Sequence, residues 1–225
     1  MSVRVGVVQF PGTNCELDVV WAVERLGAEA RILWHGDATV HGVDAVVVPG
    51  GFAHGDYLRT GAIARFSPVM TAVGEFAAAG GPVVGICNGF QVLTEAGLLP
   101  GALQKNAGLK FVCRPVDLRV ETVTTVLTNQ ATVGQVLRIP VNHFEGNYVC
   151  DDRTLDALRA EERVVVRYVE NPNGALDDIA GICNEGRNVV GLMPHPERAS
   201  DVLLGSTDGL VMLRSLLAAA AVPAA

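Results

Sequence analysis

Apolar positions along this chain gather into short Val/Ile-rich runs, several of which stop at a glycine or a proline. Residues 3–8, 30–34, 45–48, 83–86 and 189–193 are of this kind. A strand that is apolar at nearly every position has no face left for water. Such runs therefore predict strands buried on both sides, as parallel strands covered by helices are. Stretches with helical spacing lie between them. Residues 14–26 predict a helix opened by a capping box of Thr13 and Glu16. Residues 62–79 predict a second, closed by Gly80-Gly81-Pro82; residues 89–96 begin a third, and 208–220 form a closing helix. The βαβα order predicts an α/β fold with an open, doubly wound, mostly parallel sheet.

The middle of the chain changes character. Residues 111–126 alternate and are rich in Val and Thr, which predicts a few antiparallel strands in the second half. Asn171-Pro172-Asn173-Gly174 is a turn signal. No linker, repeat or low-complexity tract interrupts the pattern, so residues 1–225 read as one domain.

Composition narrows the function classes. Hydrophobic residues make up 49% of the chain and charged residues 18%, enough for a sizeable core and too apolar for disorder. The net charge is −7 and no Lys/Arg cluster occurs, which argues against nucleic acid or an anionic membrane as partner. The N-terminus lacks the basic start and cleavage site of a signal peptide. The Leu/Ala-rich end is interrupted by Arg214 and Pro223, too soon for a membrane span. Five scattered cysteines with no CxxC pair suggest a reducing cytoplasm rather than a disulfide frame or a metal site.

Two segments carry chemistry. In Val83-Val84-Gly85-Ile86-Cys87-Asn88-Gly89-Phe90-Gln91 an apolar strand ends at a cysteine flanked by glycines. Gly85 and Gly89 remove side chains where strand and helix nearly touch. The helix N-terminus that follows favours a thiolate and aims the Asn88 N–H where an oxyanion would form. A similar elbow also serves serine nucleophiles. Cys113, Cys150 and Cys183 read as small buried cysteines; Cys15, near another helix start, lacks the flanking glycines. In Pro194-His195-Pro196-Glu197 two prolines stiffen a loop that presents an imidazole, and Glu197 is placed to fix its tautomer. Cysteine, histidine and glutamate are the parts of a thiolate acyl-transfer site. His35, His41, His54 and His143 lack such a context. A third strand-to-glycine turn, Pro49-Gly50-Gly51-Phe52, offers Gly51 as a second oxyanion donor. It is not a phosphate loop, because no Gly-Lys-Ser/Thr follows.

Gly50-Gly51, Cys87-x-Gly89-x-Gln91 and His195-Pro196-Glu197, in this order, resemble the class I (triad) glutamine amidotransferases. The resemblance implies a flavodoxin-like sheet and a reaction in which Cys87 attacks the side-chain amide of L-glutamine. By the same resemblance His195 is the base and acid, Glu197 orients it, Gly51 and Asn88 hold the oxyanion, and Gln91 positions the substrate. Finer matches cover nearly the whole chain: Phe10-Pro11-Gly12-Thr13-Asn14-Cys15, Gly55-Asp56-Tyr57-Leu58-Arg59, Asn171-Pro172-Asn173-Gly174, Met193 to Ala199, and Gly205-Ser206-x-Asp208-Gly209. They look like the branch that supplies ammonia to the fourth step of purine biosynthesis. That implies no cofactor in this subunit, a large synthetase subunit that uses ATP and Mg, and a small third subunit. The branch often has Ser-Tyr where Ala53-His54 stands, and glycine where Phe144 stands in His143-Phe144-Glu145-Gly146, a segment that the resemblance sets at the border of the glutamine site or the subunit interface. Two other readings stay open: a glutaminase subunit of another synthase, and a cysteine-based redox protein on a similar fold.

Overall fold

The computed structural model describes residues 2–222. The apolar runs become β1 (Arg4–Gln9), β2 (Glu29–Trp34), β3 (Ala45–Val48), β4 (Val83–Ile86) and β11 (Val189–Leu192). They are neighbours in the order β2-β1-β3-β4-β11, all parallel. Every residue of β3, β4 and β11 is buried, which accounts for their unbroken apolar sequence. The sheet continues antiparallel through β10 (Ile179–Cys183), β9 (Val164–Tyr168), β6 (Val112–Val120) and β7 (Val136–His143). A separate ribbon pairs β5 (Ala102–Gln104) with β8 (Asn147–Val149). Helices α1 (Glu16–Glu24), α2 (Pro68–Ala78), α3 (Asn88–Glu95), α4 (Asp152–Ala160) and α5 (Gly209–Ala220) complete the α/β architecture. Helix α1 packs on β1 and β2, and α3 packs on β3, β4 and β11.

Some boundaries differ from the expected ones for definite reasons. The Thr13/Glu16 capping box does not form. Thr13 Oγ1 instead accepts from the Phe10 N–H at 2.9 Å, Glu16 Oε1 accepts from Gln9 Nε2 at 2.9 Å, and the helix starts at Glu16. Residues 62–67 do not belong to α2. Pro68 is its first residue, and Ser67 before it is extended at ψ 141°. Proline disfavours helical geometry in its predecessor, so the helix cannot be entered from further upstream. Cys113 is exposed rather than buried, because it falls on the outer face of β6; Cys150 is half-buried and Cys183 fully buried. No helix among the described residues is long and apolar enough to cross a membrane. Pro223 lies outside the described residues.

The site is positioned by β1. Its neighbours β2 and β3 lie on opposite sides, so the loops after β1 and β3 leave the sheet beside one another. Thr13 and Gly51 form a bridge, and the Asn14 and Cys15 N–H groups both donate to the Gly50 carbonyl at 3.2 and 3.1 Å.

Candidate active site

Cys87 sits between β4 and α3 at φ 52°, ψ −106°. A residue with a β-carbon is strained there, and such strain persists only where the surroundings over-determine it. Here the glycines do so. A β-carbon on Gly89 would lie 1.8 Å from the Val48 carbonyl oxygen, and one on Gly85 would lie 2.5 Å from Leu93 Cδ1. The Cys87 N–H donates to the Leu192 carbonyl at 2.8 Å, which ties the turn to the end of β11.

That same strand end delivers His195. Its N–H donates to the Pro140 carbonyl of β7 at 2.8 Å, and Nδ1–H donates to Glu197 Oε1 at 2.6 Å. Both side chains are buried. Burial opposes a charge on His195, but the Glu197 carboxylate and then Cys87 outweigh it and hold the imidazole well above its usual range. Nε2 of His195 has no hydrogen-bond partner among the described residues. The Gly51 and Asn88 N–H groups likewise have none, and Asn88 opens α3, where a backbone donor is unpaired by geometry. The Asn88 side chain fixes the loop: Oδ1 accepts from the Ala53 N–H at 3.0 Å, and Nδ2 donates to Asp56 at 3.1 Å and to Gln91 Oε1 at 2.9 Å. Gln91 Nε2 then donates to the Glu145 carbonyl at 2.5 Å. Both ends of Gln91 are thus occupied in holding the wall of the site.

Cys87, His195, Gly51 and Gln91 line one cavity of about 320 Å³. Of the other expected residues, Glu197 stands behind His195 on Nδ1 and Asn88 follows Cys87 at the start of α3. Others line it too. His143, on which the sequence showed no chemistry, is buried in the cavity wall with Nδ1 against Asn106 Oδ1 at 3.1 Å. Burial, then the neighbouring His195, lowers its pKa to about 4, so it is neutral. Asp56 faces the same space, and its carboxyl is raised to about 6, mainly by burial, with a smaller push from Glu145. Cys15, which lacks the flanking glycines of Cys87, lies in the cavity with the Arg198 guanidinium 3.2 Å from its sulfur. The signal for Cys15 is topological: it follows β1 at the point where the loops diverge. The resemblance already sets the His143-Phe144-Glu145-Gly146 segment at the border of the glutamine site or the subunit interface, and the structure has His143, Phe144 and Glu145 lining the cavity at the end of β7. Phe144 lines the cavity as well, while Arg59 is turned away to pair with Glu95 at 2.6 Å.

Residues 2–207 match the family described as the CobB/CobQ-like glutamine amidotransferase domain. The chain belongs to this family. A relative from Rubrobacter xylanophilus, the PurQ subunit of phosphoribosylformylglycinamidine synthase, is 63% identical over 97% of this chain and all of its own. The PurQ subunit of Koribacter versatilis is 54% identical over 97% of this chain and 99% of its own. A chain of the solved PurLQS structure from Thermotoga maritima matches with a TM-score of 0.90 and 42% identity. That match covers 97% of this chain and 99% of the other.

Proposed function

We propose that the chain is the glutaminase subunit of a phosphoribosylformylglycinamidine synthase, built as one glutamine amidotransferase domain. The observation that carries the reading is Cys87 on its strained elbow beside the buried His195–Glu197 pair. It occurs in a chain 63% identical over 97% of its length to a PurQ subunit.

In this reading His195 takes the proton of Cys87, and the sulfur attacks the side-chain carbonyl carbon of glutamine. The Gly51 and Asn88 N–H groups hold the resulting oxyanion. When the C–N bond breaks, His195 returns the proton to the departing nitrogen, and ammonia leaves a glutamyl thioester on Cys87. Water, deprotonated by His195, then attacks the thioester; the C–S bond breaks and glutamate is released with the thiol restored. Glu197 keeps Nδ1 protonated, so that Nε2 is the nitrogen left to work. Gln91 acts by holding the Glu145 segment against the substrate. The ammonia passes to a separate large synthetase subunit, which uses ATP and Mg to convert formylglycinamide ribonucleotide to the amidine. A small third subunit completes the assembly. The chain itself binds no cofactor in this scheme, and it works in the cytoplasm.

The test is glutamate release from glutamine by the chain alone, then with both partner subunits, ATP and the ribonucleotide. Strong dependence on the partners, with amidine formed, is expected. Cys87→Ala abolishes the glutamine-driven reaction in the complex and spares the ammonia-driven one. Hydrolysis indifferent to the partners assigns the chain to another synthase, and survival of glutamine turnover in Cys87→Ala removes that residue as nucleophile.

A further inference from the structure

Five side chains join along one wall of the cavity. Asn88 Nδ2 donates to Gln91 Oε1 at 2.9 Å and to Asp56 Oδ1 at 3.1 Å. Gln91 Nε2 donates to the Glu145 carbonyl, and Thr60 Oγ1 donates to Glu145 Oε2 at 3.1 Å. The network fixes two carboxylates, Asp56 and Glu145, both of which line the cavity. Each keeps one oxygen uncommitted: Asp56 Oδ2 and Glu145 Oε1 accept no hydrogen bond among the described residues. Neither carboxylate has a basic partner there, because Arg59 pairs with Glu95 and Arg198 with Asp18. The Asp56 carboxyl is raised to about 6, by burial first, with the Asn88 bond opposing and the Glu145 charge adding to the rise. Two carboxylates of like sign, half-hidden from water and without a cation of the chain's own, favour a cationic guest. That the cavity receives a ligand rests on separate ground: His195, 1% exposed, lines it with Nε2 free of any hydrogen-bond partner among the described residues.

We propose that Asp56 and Glu145 determine substrate specificity by binding the α-ammonium group of L-glutamine while its side-chain amide stands at Cys87. The assignment rests on the glutaminase reading and names what that centre recognises beyond the amide. Cys87 and Gln91 are four residues apart at the start of α3, one helical turn of about 5–6 Å. The α-nitrogen of extended glutamine stands four bonds from its amide carbon, about 5 Å. A substrate with its amide carbon at the Cys87 sulfur therefore brings its ammonium to the level of Gln91, which is tied to Asp56 through Asn88 and directly to Glu145. An ammonium has three donors, and the two uncommitted carboxylate oxygens take two of them in charge-assisted bonds. The bound cation also relieves the repulsion between Asp56 and Glu145. An amide without the α-ammonium leaves both carboxylates facing the substrate's own carboxylate, so it is rejected on charge as well as on lost bonds. No spacing in the sequence reveals the pair, because the segments after β3 and β7 meet only in the fold.

Binding is measured on the assembled complex carrying Cys87→Ala in this chain, so that no substrate is turned over. L-glutamine and glutaramate, which is glutamine without its α-amino group, are titrated by calorimetry. This complex is expected to prefer glutamine by at least about 100-fold, from two charge-assisted bonds at about tenfold each. Glu145→Gln and Asp56→Asn, each added to it, keep an oxygen for the Thr60 and Asn88 donors and remove the charge. Each is expected to weaken glutamine about 10- to 100-fold. Glutaramate should bind as before or more tightly, since a repulsion is gone. A merely structural role moves both ligands together, so equal losses for the two overturn the proposal, as does a glutamine affinity unchanged in both variants. Equal binding of glutamine and glutaramate by the Cys87→Ala complex overturns it as well, with no need for a further variant to fold. An absence of glutamine binding is a different result: it removes the glutaminase reading, and this assignment with it.

Discussion

At the scale of single residues, the two buried histidines of the cavity titrate in opposite senses. His195 is held well above its usual range and His143 is lowered to about 4. For His143 the unfolded chain takes up a proton near pH 6.5, whereas the folded chain refuses it until about pH 4. Acid therefore favours the unfolded state across that window, and stability from this group is lost as pH falls. Asp56 works the other way: raised to about 6, it binds a proton in the folded state first, and its contribution is lost as pH rises through 6. The total curve mixes the two, so the check is a difference. Unfolding free energy of the parent minus that of His143→Gln should decline from pH 6.5 to 4 by on the order of 3 kcal/mol. Asp56→Asn should stabilise the fold at pH 8 by about 1 kcal/mol, a reduced figure because the carboxyl is only half-buried. It should also impair glutamine turnover, since the Asn88 contact it alters borders the proposed oxyanion donor. A denaturant series at both pH values reads the first effect and kcat/KM the second.

At the scale of elements, the elbow depends on absent atoms. Gly89→Ala would drive a β-carbon into the Val48 carbonyl. α3 would have to lift from β3, and the expected outcome is a loss above about 3 kcal/mol, with slowed alkylation of Cys87, read by thermal unfolding and iodoacetamide labelling. A milder case is α4, whose first turn is capped by Asp151 accepting from the Thr154 N–H at 2.8 Å. Asp151→Ala should cost about 1 kcal/mol and leave the site untouched. The contrast between these elements explains what could be read from the chain. β3, β4 and β11 are buried on both faces, so their apolar runs are continuous and their ends, at Gly50, Cys87 and His195, were legible together with the site. β7, with Arg138 and Pro140 among its residues, half-faces solvent and carries no such run. Its pattern therefore predicts no strand, and the segment from His143 is placed at the site by the family resemblance alone. Helix α2 starts later than its spacing predicts, because that spacing continues upstream of Pro68 while the backbone restriction that proline imposes acts only locally. The place of Cys15 in the cavity is illegible for another reason: it comes from the pairing of the β1 and β3 loops, a non-local fact.

At the scale of the molecule, the proposed function requires ammonia released at Cys87 to reach a second subunit, and the wall of the cavity offers a place for that subunit to sit. Phe52, Asp56 and Thr60 line the cavity. Between them the chain carries Tyr57 and Leu58 outward, 74% and 90% exposed. His54, Gly55, Asp56 and Leu58 all adopt positive φ, so the loop spends conformational strain to hold these side chains in water. Neither is needed by the fold, because neither touches the core. An apolar loop tip beside the mouth of the site is what the large synthetase subunit would cover to exclude solvent from the ammonia path. Leu58→Asp is the discriminating change. Aspartate tolerates the left-handed backbone at least as well as leucine, so the free subunit should keep its thermal midpoint. If the loop docks the synthetase, the same change should weaken assembly at least about 10-fold, as loss of a buried apolar anchor does. Partner-dependent glutamine hydrolysis should fall with it and recover at high synthetase concentration. Sedimentation of the mixed subunits reads the first effect and a synthetase titration of glutamate release the second. Assembly unchanged in Leu58→Asp would move the docking face away from this loop.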